Sequence, residues 1–412
     1  MKYIINDDVV LSRPLEGPLA AQIAAFAKWA RDQGYALQSR YRRVLLAAGL
    51  SRWLGRQAIT LRHVSSEHPA RYLRSRARRV QVHRGDAAAL RQLVEFLRRQ
   101  GVIPAEKIAP RRVTPVEQTV QAFERYLRDE RALADATVIN YVPFIRGFLA
   151  DRFGDGAVTL SHLSASDVVR FVQRQAARLH LKRAKLVTCA LRSFLQYARY
   201  RGDIVLDLAA AVPTVANWSR TSIPRAIAAD HVRQLLAGVS RRTALGRRDY
   251  AILLLLSRLG LRSSEVVGLE LGDLDWNGGR LSVRGKGGQR TALPLPADVG
   301  AAIVAYLRHG RPHSTSRRVF LRARAPIRGF LGQSAVGSLV RHTLERAGIE
   351  APTKGAHQFR HALATQMLRH GASLTEIGAV LRHHSPETTK IYTKVDVDAL
   401  RTLALPWPGG VR

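Results

Sequence analysis

From Ala356 to Val395 the chain reads AHQFRHALATQMLRHGASLTEIGAVLRHHSPETTKIYTKV, and this run decides what kind of domain it closes. His357 and Arg360 stand three residues apart, so on a helix they share a face. Ser373 and Glu376 have capping-box spacing ahead of an apolar run, which predicts a second helix starting there. His383 follows that helix, and Ser385-Pro386 restarts the chain as N-cap and first helical residue. Tyr392 lies nine residues beyond His383. A phenol delivered to cationic and hydrogen-bonding side chains suits nucleophilic attack on a phosphodiester.

Charge points the same way. The 412 residues carry 66 Lys plus Arg against 31 Asp plus Glu, a formal charge of +35. Such an excess repels itself unless a polyanion offsets it, and nucleic acid is the leading candidate. A basic protein of the ribosomal or membrane-surface kind is the plainer alternative. Lysine is scarce, nine against 57 arginines, so a lysine set among glycines (Lys286) stands out. The single cysteine, Cys189, excludes an intramolecular disulfide and a cysteine-rich zinc site, and its apolar helical surroundings predict a buried, inert thiol. The start MKYIINDDVV lacks a signal-peptide pattern, and the longest aliphatic run, Ala251 to Leu256, is too short to span a bilayer. The expectation is a soluble, cytoplasmic protein with no membrane partner, associated with the nucleoid when bound to DNA.

The length predicts two or three domains. Residues 1–110 read as helical, with apolar residues at three- and four-residue spacing over Ala21–Arg31, Gln38–Leu54 and Ala87–Gln100. Between them RYLRSRARRVQVHR, Arg71 to Arg84, carries six arginines and no acid, which favours a phosphate-tracking surface over a merely solvated face. Arg71, Arg74, Arg76, Arg78 and Arg79 are the candidates there for DNA contact, with Lys182, Arg183 and Lys185 further along. Residues 112–205 repeat this plan. FAKWARD from Phe26 matches FERYLRD from Phe123, and ITLRHVS from Ile59 matches VTLSHLS from Val158. ALRQLVEFLRRQGVI from Ala89 matches ALRSFLQYARYRGDI from Ala190 at six of fifteen positions. Three blocks in one order, one of them loop-like, point to duplication of a helical DNA-binding unit.

Residues 206–226 mix Ala, Pro, Thr and Ser without a period and read as a linker to a last domain, 227–412. Helices are expected over Ala228–Leu236, Arg247–Leu259 and Val299–Leu307. Arg280–Arg284 and Arg290–Leu295 alternate around Gly285-Lys286-Gly287-Gly288, a β-hairpin with a lysine at its tip. The Arg-rich stretch Ser314–Arg328 is irregular.

Three segments converge: GLRSSEVVGLELGDLD with Arg262 and Glu265, RGKGGQRTALPL with Lys286, and the His357–Tyr392 run. Together they resemble the signature boxes of the tyrosine recombinases, the lambda-integrase family. GLRxSE, GKGxxRxxxPL, HxxRHxxAT and LxHxSxxTTxxY occur in family order. The resemblance is strong over about 222–400 and looser over 114–205, which is similar to the family's helical core-binding (SAM-like) domain. It implies a mainly α fold with a small antiparallel β-sheet: helical DNA-binding N-terminal domains, then a mixed α/β, mostly helical catalytic domain.

Carried over by position, the resemblance makes Tyr392 the nucleophile and gives Arg262 and Arg360 the scissile phosphate. Lys286 becomes the acid for the 5′ leaving oxygen, His357 a base or phosphate ligand, His383 the last phosphate contact and Glu265 a supporting acid. The chemistry is compatible. Two guanidiniums can grip non-bridging oxygens without losing a proton, and a phenol of pKa about 10 needs neighbouring cations to become a good nucleophile. No metal and no cofactor is called for. His361, His370 and His384 are expected to be structural, supporting or solvent-facing. Two positions depart from the family pattern: Arg382 where glycine is usual, and Lys394 where a histidine often follows the tyrosine.

The implied function is site-specific recombination of double-stranded DNA through a 3′-phosphotyrosyl link and a Holliday junction, by a homotetramer. DALRTLALPWPGG after the tyrosine offers a helix to dock on a neighbouring subunit. The residues ahead of the two-domain core favour a mobile-element integrase, with accessory DNA-binding proteins as further partners. Two other readings remain open from sequence: a type IB topoisomerase, and a non-catalytic DNA-binding accessory protein.

Overall fold

The computed structural model describes residues 3–5, 9–106, 113–215, 226–285, 288–383 and 385–395. Lys286, His384 and the C-terminal run from 396 lie outside these residues. Contacts divide the chain into two units, Met1–Lys107 with Ile223–Arg412, and Ile108–Ser222.

In the first unit a short antiparallel pair, β1 (Tyr3–Ile5) and β2 (Val9–Leu11), precedes four helices. These are α1 (Ala20–Asp32), α2 (Leu37–Arg56), α3 (Glu67–Ala77) and α4 (Asp86–Arg99). The strands are too short for alternation to announce them. The apolar stripes of the helices meet in a core that includes Ile23, Phe26, Leu50, Leu54, Leu93 and Leu97. Helix α1 packs on α2, α2 on α4, and α3 on α4.

The second unit repeats that scheme. Its helices are α5 (Pro115–Arg125), prolonged by a π-turn over Tyr126–Glu130, α6 (Asp135–Phe153), α7 (Ala165–Arg178) and α8 (Leu181–Tyr200). Here α5 packs on α6, α6 on α8, and α7 on α8. The sequence blocks that match also fold alike. ITLRHVS and VTLSHLS each form a 3₁₀ turn, Leu61–His63 and Leu160–His162. The blocks from Ala89 and Ala190 end their helices on left-handed glycines, Gly101 at φ 68° and Gly202 at φ 77°, each followed by a buried isoleucine, Ile103 and Ile204. Leu208, Ala209 and Val212 extend this core past α8, and Arg192 Nη2 donates to the Val212 carbonyl at 2.8 Å. Cys189 is exposed, contrary to the buried thiol its neighbours imply. Val187 and Leu191 face the core, and two residues from either is the far side of a helix.

Residues from 226 onward in the first unit form the remaining elements. Helices α9 (Ala229–Gly238), α10 (Ala244–Arg258) and α11 (Ser263–Gly268) lead into a three-stranded antiparallel sheet of β3 (Leu274–Asp275), β4 (Arg280–Arg284) and β5 (Arg290–Pro294). After it come α12 (Ala297–His309), α13 (Ser334–Arg346), α14 (His357–Arg369), α15 (Leu374–Leu381) and α16 (Pro386–Thr389), closed by a 3₁₀ turn over Lys390–Val395. Helix α10 is the centre: Ala251 to Leu256 are all buried, and α9, α11, α12, α13 and α14 pack around it. The hairpin register pairs Arg284 with Arg290. The fold is mainly helical with one small antiparallel sheet of this kind, as the boxes imply. Arg311 organises the irregular stretch after α12 by donating to the Ser316, Arg318 and Val319 carbonyls at 2.6, 2.9 and 3.2 Å. Gly34, at φ 78°, lies against Ile327, where a Cβ would stand 2.4 Å from Cγ1, and the Ile327 N–H donates to Gln33 O at 2.9 Å.

Candidate active site

Arg360 projects from the first turn of α14 into the protein, and only 2% of it is exposed. Its Nη1 donates to Gly260 O at 2.7 Å and its Nη2 to Leu381 O. One guanidinium therefore ties the segment before Arg262 to the segment before His383. Burial, then Arg262 and Arg382, push its pKa down to about 10, so it stays charged at neutral pH. Gly260 permits this approach. It sits at φ 57°, and a Cβ there would stand 2.8 Å from Leu381 Cδ2.

Arg262 occupies the N-cap of α11 and is held by Glu265, which is 3% exposed. The Arg262 N–H donates to Glu265 Oε2 at 2.9 Å and Nη1 to Oε1 at 2.8 Å. The pair is not the surface salt bridge that its spacing ordinarily gives. A third member joins it: Arg382 Nη2 donates to Glu265 Oε2 at 2.9 Å, and Arg262 Nη2 donates to Arg382 O at 3.2 Å. Arg382 ends α15 in the left-handed region at φ 55°, the conformation a glycine adopts there without strain. The departure from the family pattern thus keeps the glycine-like backbone and returns the side chain to the buried carboxylate. Arg382→Gly relieves about 1 kcal/mol of left-handed strain. Arg382→Met keeps the strain and loses the same bond, so it is expected to melt below Arg382→Gly; thermal unfolding in the reverse order rejects this account.

The end of the chain brings three histidines to Tyr392. Tyr392 is 1% exposed, in an apolar pocket of Ala364, Ile377 and Leu381. Its Oη lies 3.0 Å from His361 Nδ1. His383 stacks on the phenol at 6.4 Å between centroids, and its Nδ1 is 2.7 Å from Thr389 Oγ1. His357 is exposed and stands edge-on to His361 at 4.5 Å. Burial pushes the phenol up to about 12, with Arg360 opposing. It pushes His361 down to about 4, helped by His357 and Arg360, and His383 to about 4, helped by Arg360, Arg262, His357 and Arg382. At neutral pH the phenol is protonated and both imidazoles are neutral, and one hydrogen bond joins Tyr392 to His361. Sequence reasoning set His361 aside as supporting. Its signal was available: His357, Arg360 and His361 follow an i, i+3, i+4 pattern, one helix face.

A cavity of about 250 Å³ opens beside this cluster, lined by Arg262, Gly285, Gln289, Thr291, Arg382 and His383. Lys286, the sequence candidate for this site, lies outside the described residues. The fold brings Arg262 together with Arg360, His383 and Tyr392, which follow it at about 100 to 130 residues along the chain. The candidates for DNA contact stand elsewhere. Arg71, Arg74 and Arg76 are on α3 with Arg78 and Arg79 just after it, and Lys182, Arg183 and Lys185 are on the first turns of α8. Arg71 reaches over Trp53 at 6.0 Å, and Arg183 over Phe144 at 5.7 Å.

Two family models match the chain: the phage integrase family over residues 225–398, and the phage integrase N-terminal SAM-like domain over residues 120–202. Over 409 residues, 99% of each chain, it is 59% identical to y4rA of Sinorhizobium fredii, named as an integrase/recombinase. It is 32% identical over 307 residues to the tyrosine recombinase XerD of Mycobacterium tuberculosis, covering 70% of this chain and 96% of that one. Among solved structures the fold is similar to XerH recombinase in a post-cleavage complex with palindromic difH substrate. That likeness has a TM-score of 0.55 and 18% identity, over 73% of this chain and 98% of the other. It is also similar to a lambda integrase tetramer bound to a Holliday junction, with a TM-score of 0.52 and 16% identity, over 76% and 88% of the two chains.

Proposed function

This chain belongs to the phage integrase family of tyrosine recombinases, and from that membership we propose that it recombines duplex DNA at specific sites as a homotetramer, through a Holliday junction. Tyr392 Oη attacks the scissile phosphorus, the P–O5′ bond breaks, and a 3′-phosphotyrosyl link holds the strand. Arg262 and Arg360 grip the non-bridging oxygens as charge develops on them. Lys286 gives its proton to the leaving 5′ oxygen. The phenol proton passes to a base on α14, where His361 Nδ1 stands 3.0 Å from the phenol oxygen with His357 beside it, once the phosphate and its arginines have lowered the phenol from its buried value of about 12. His357 and His383 complete the phosphate contacts, and Glu265 fixes Arg262. Religation reverses the steps with a different 5′-hydroxyl, and the phosphotyrosyl bond conserves the energy.

What supports this reading most is the gathering of both arginines, His383 and the tyrosine at one cavity, with Arg262 and His383 on its wall and Arg360 buried. Tyr392 is buried next to that cavity rather than on its wall, so DNA binding has to draw the turn Lys390–Val395 toward the phosphate. We also assign residues 112–212 to core-site binding, because Leu208, Ala209 and Val212 belong to that core and move the start of the linker from 206 to beyond them, and 227–412 to catalysis. The chain would then work wherever its target DNA lies, with accessory proteins setting direction.

The discriminating experiment is incubation with supercoiled plasmid that lacks a recombination site, alongside sequencing of DNA covalently trapped on the protein. Recurrent trapped sequences and exchange between two such sites are expected. Efficient relaxation of the site-free plasmid without exchange favours a topoisomerase instead. The role of Lys286 has its own test. Lys286→Ala is expected to cleave an ordinary site about 10²–10⁴-fold slower, and to recover on a substrate with a 5′-bridging sulfur, which leaves without a proton. Equal impairment on both substrates makes Lys286 a phosphate contact only.

A further inference from the structure

Residues 13–80 enclose a cleft of about 840 Å³, in a part of the chain that neither family model reaches. Its walls are the end of α2, α3 with the turn after it, and the segment from Arg13 to Gly17. Arg13, Arg52, Arg56, Arg76 and Arg79 line it, and Glu16 is the one carboxylate on its walls. Among the described residues, Arg76 alone of these five has a side-chain hydrogen bond, to Tyr72 Oη at 3.5 Å. The Arg76 Nε is buried there without a partner. Five guanidiniums converging on one space repel each other unless an anion enters it.

The helical plan itself does not require this. In the second unit the corresponding place, the end of α6 against α7, is closed by ion pairs. Arg174 binds Asp151, and Arg152 binds Asp167 at 3.2 Å. Two arrays with one packing scheme therefore differ at one spot, paired in the second and open and cationic in the first.

We propose that this cleft is a second DNA site, which holds the phosphate backbone of duplex DNA and does not read bases. It rests on the recombinase reading, because DNA is the polyanion which that reading supplies. Guanidinium forks match phosphate oxygens. The two aromatic residues on the walls, Trp53 and Tyr72, are 9% and 6% exposed, so they offer no open faces on which unpaired bases could stack. Backbone contact without base contact adds affinity and lengthens the footprint but leaves site choice to the rest of the chain.

The test uses the full chain and a mixed-sequence duplex, with binding measured across a series of salt concentrations. Replacing Arg52, Arg56, Arg76 and Arg79 together by glutamine is expected to lower the salt slope by about 0.9 per lost phosphate contact, about 3.6 in all. Arg56→Gln with Arg79→Gln, both exposed and without a folding role in the cleft, lowers it by about 2. This pair decides the matter if the fourfold variant does not fold. Arg31→Gln with Arg91→Gln, exposed arginines on α1 and α4, leaves the slope as it was. A cleft variant with the parent slope overturns the proposal, as does an equal fall in the α1/α4 variant. Protection by inorganic phosphate with no change in DNA slope overturns it in favour of a small-anion site. Covalent trapping through Tyr392 is scored in parallel. Trapping retained with an unchanged slope removes the cleft alone, whereas no trapping by the parent chain removes the recombinase reading.

Discussion

Tyr392→Phe is expected to bind duplex DNA as the parent chain does and to form no covalent adduct with it. Phenylalanine fills the same pocket of Ala364, Ile377 and Leu381 and keeps the stack on His383, so apolar burial is conserved. What it loses is one oxygen. In the resting protein that oxygen satisfies His361 Nδ1, and leaving the imidazole short of a partner costs about 1–3 kcal/mol. Such a loss lowers the melting point by a few degrees without unfolding the domain. In the reaction the same oxygen is the atom that bonds to phosphorus, and no other described phenol lies in the cluster around the 250 Å³ cavity. Denaturing electrophoresis of protein with labelled DNA reads the outcome directly. An adduct that survives denaturation in the phenylalanine variant assigns the nucleophile elsewhere.

Much of this site could be read from sequence because its members come in short helical and hairpin patterns. His357 and Arg360 share a helix face, Ser373 and Glu376 cap α15 reciprocally at 3.2 and 2.7 Å, and alternation around a glycine run gives the β4–β5 hairpin. The fold class followed from the same periodicities. What escaped depends on contacts between distant segments. His361 reaches Tyr392 across thirty-one residues of chain, so only the packing of α14 against the last turn turns it from a supporting histidine into the phenol's hydrogen-bond partner. Arg382 read as a doubtful substitution for glycine. Its backbone angle and its bond to Glu265, 117 residues away, explain why a charged residue holds that place. The arginine run after α3 announced a basic surface. It did not announce that Arg52 and Arg56 on α2 face Arg76 and Arg79 across one cleft, because that needs the α2–α3 arrangement.

Arg360→Lys tests whether a charge at this position is enough, and the expectation is that it is not. The guanidinium carries five N–H groups; those used on the Gly260 and Leu381 carbonyls leave others for phosphate oxygens. An ammonium is a point donor that cannot span two diverging carbonyls and a phosphate at once. One buried carbonyl is then left without a partner, at about 1–3 kcal/mol, and the gap between the Arg262 segment and the His383 segment loses its brace. Charge is at risk as well. Burial, then Arg262 and Arg382, take Arg360 down to about 10, and the same surroundings lower a lysine from its ordinary value of about 10.4. A lysine here therefore loses its charge at a lower pH than the guanidinium does. Loss of one oxyanion-type donor costs about 10²–10³ in rate, so adduct formation by Arg360→Lys is expected to fall at least that far at neutral pH. Its residual rate falls further as pH rises, at a lower pH than any such fall in the parent, whose guanidinium keeps its proton longer. That pH limb separates the two roles Arg360 combines. A brace alone predicts a lower melting point, a rate that recovers under stabilising conditions, and no new alkaline break. A phosphate-gripping cation predicts the break even when melting has been compensated. If Arg360→Lys cleaves at the parent rate across that range, the phosphate is held by Arg262 and the histidines, and Arg360 serves only to join α14 to the two segments it bridges.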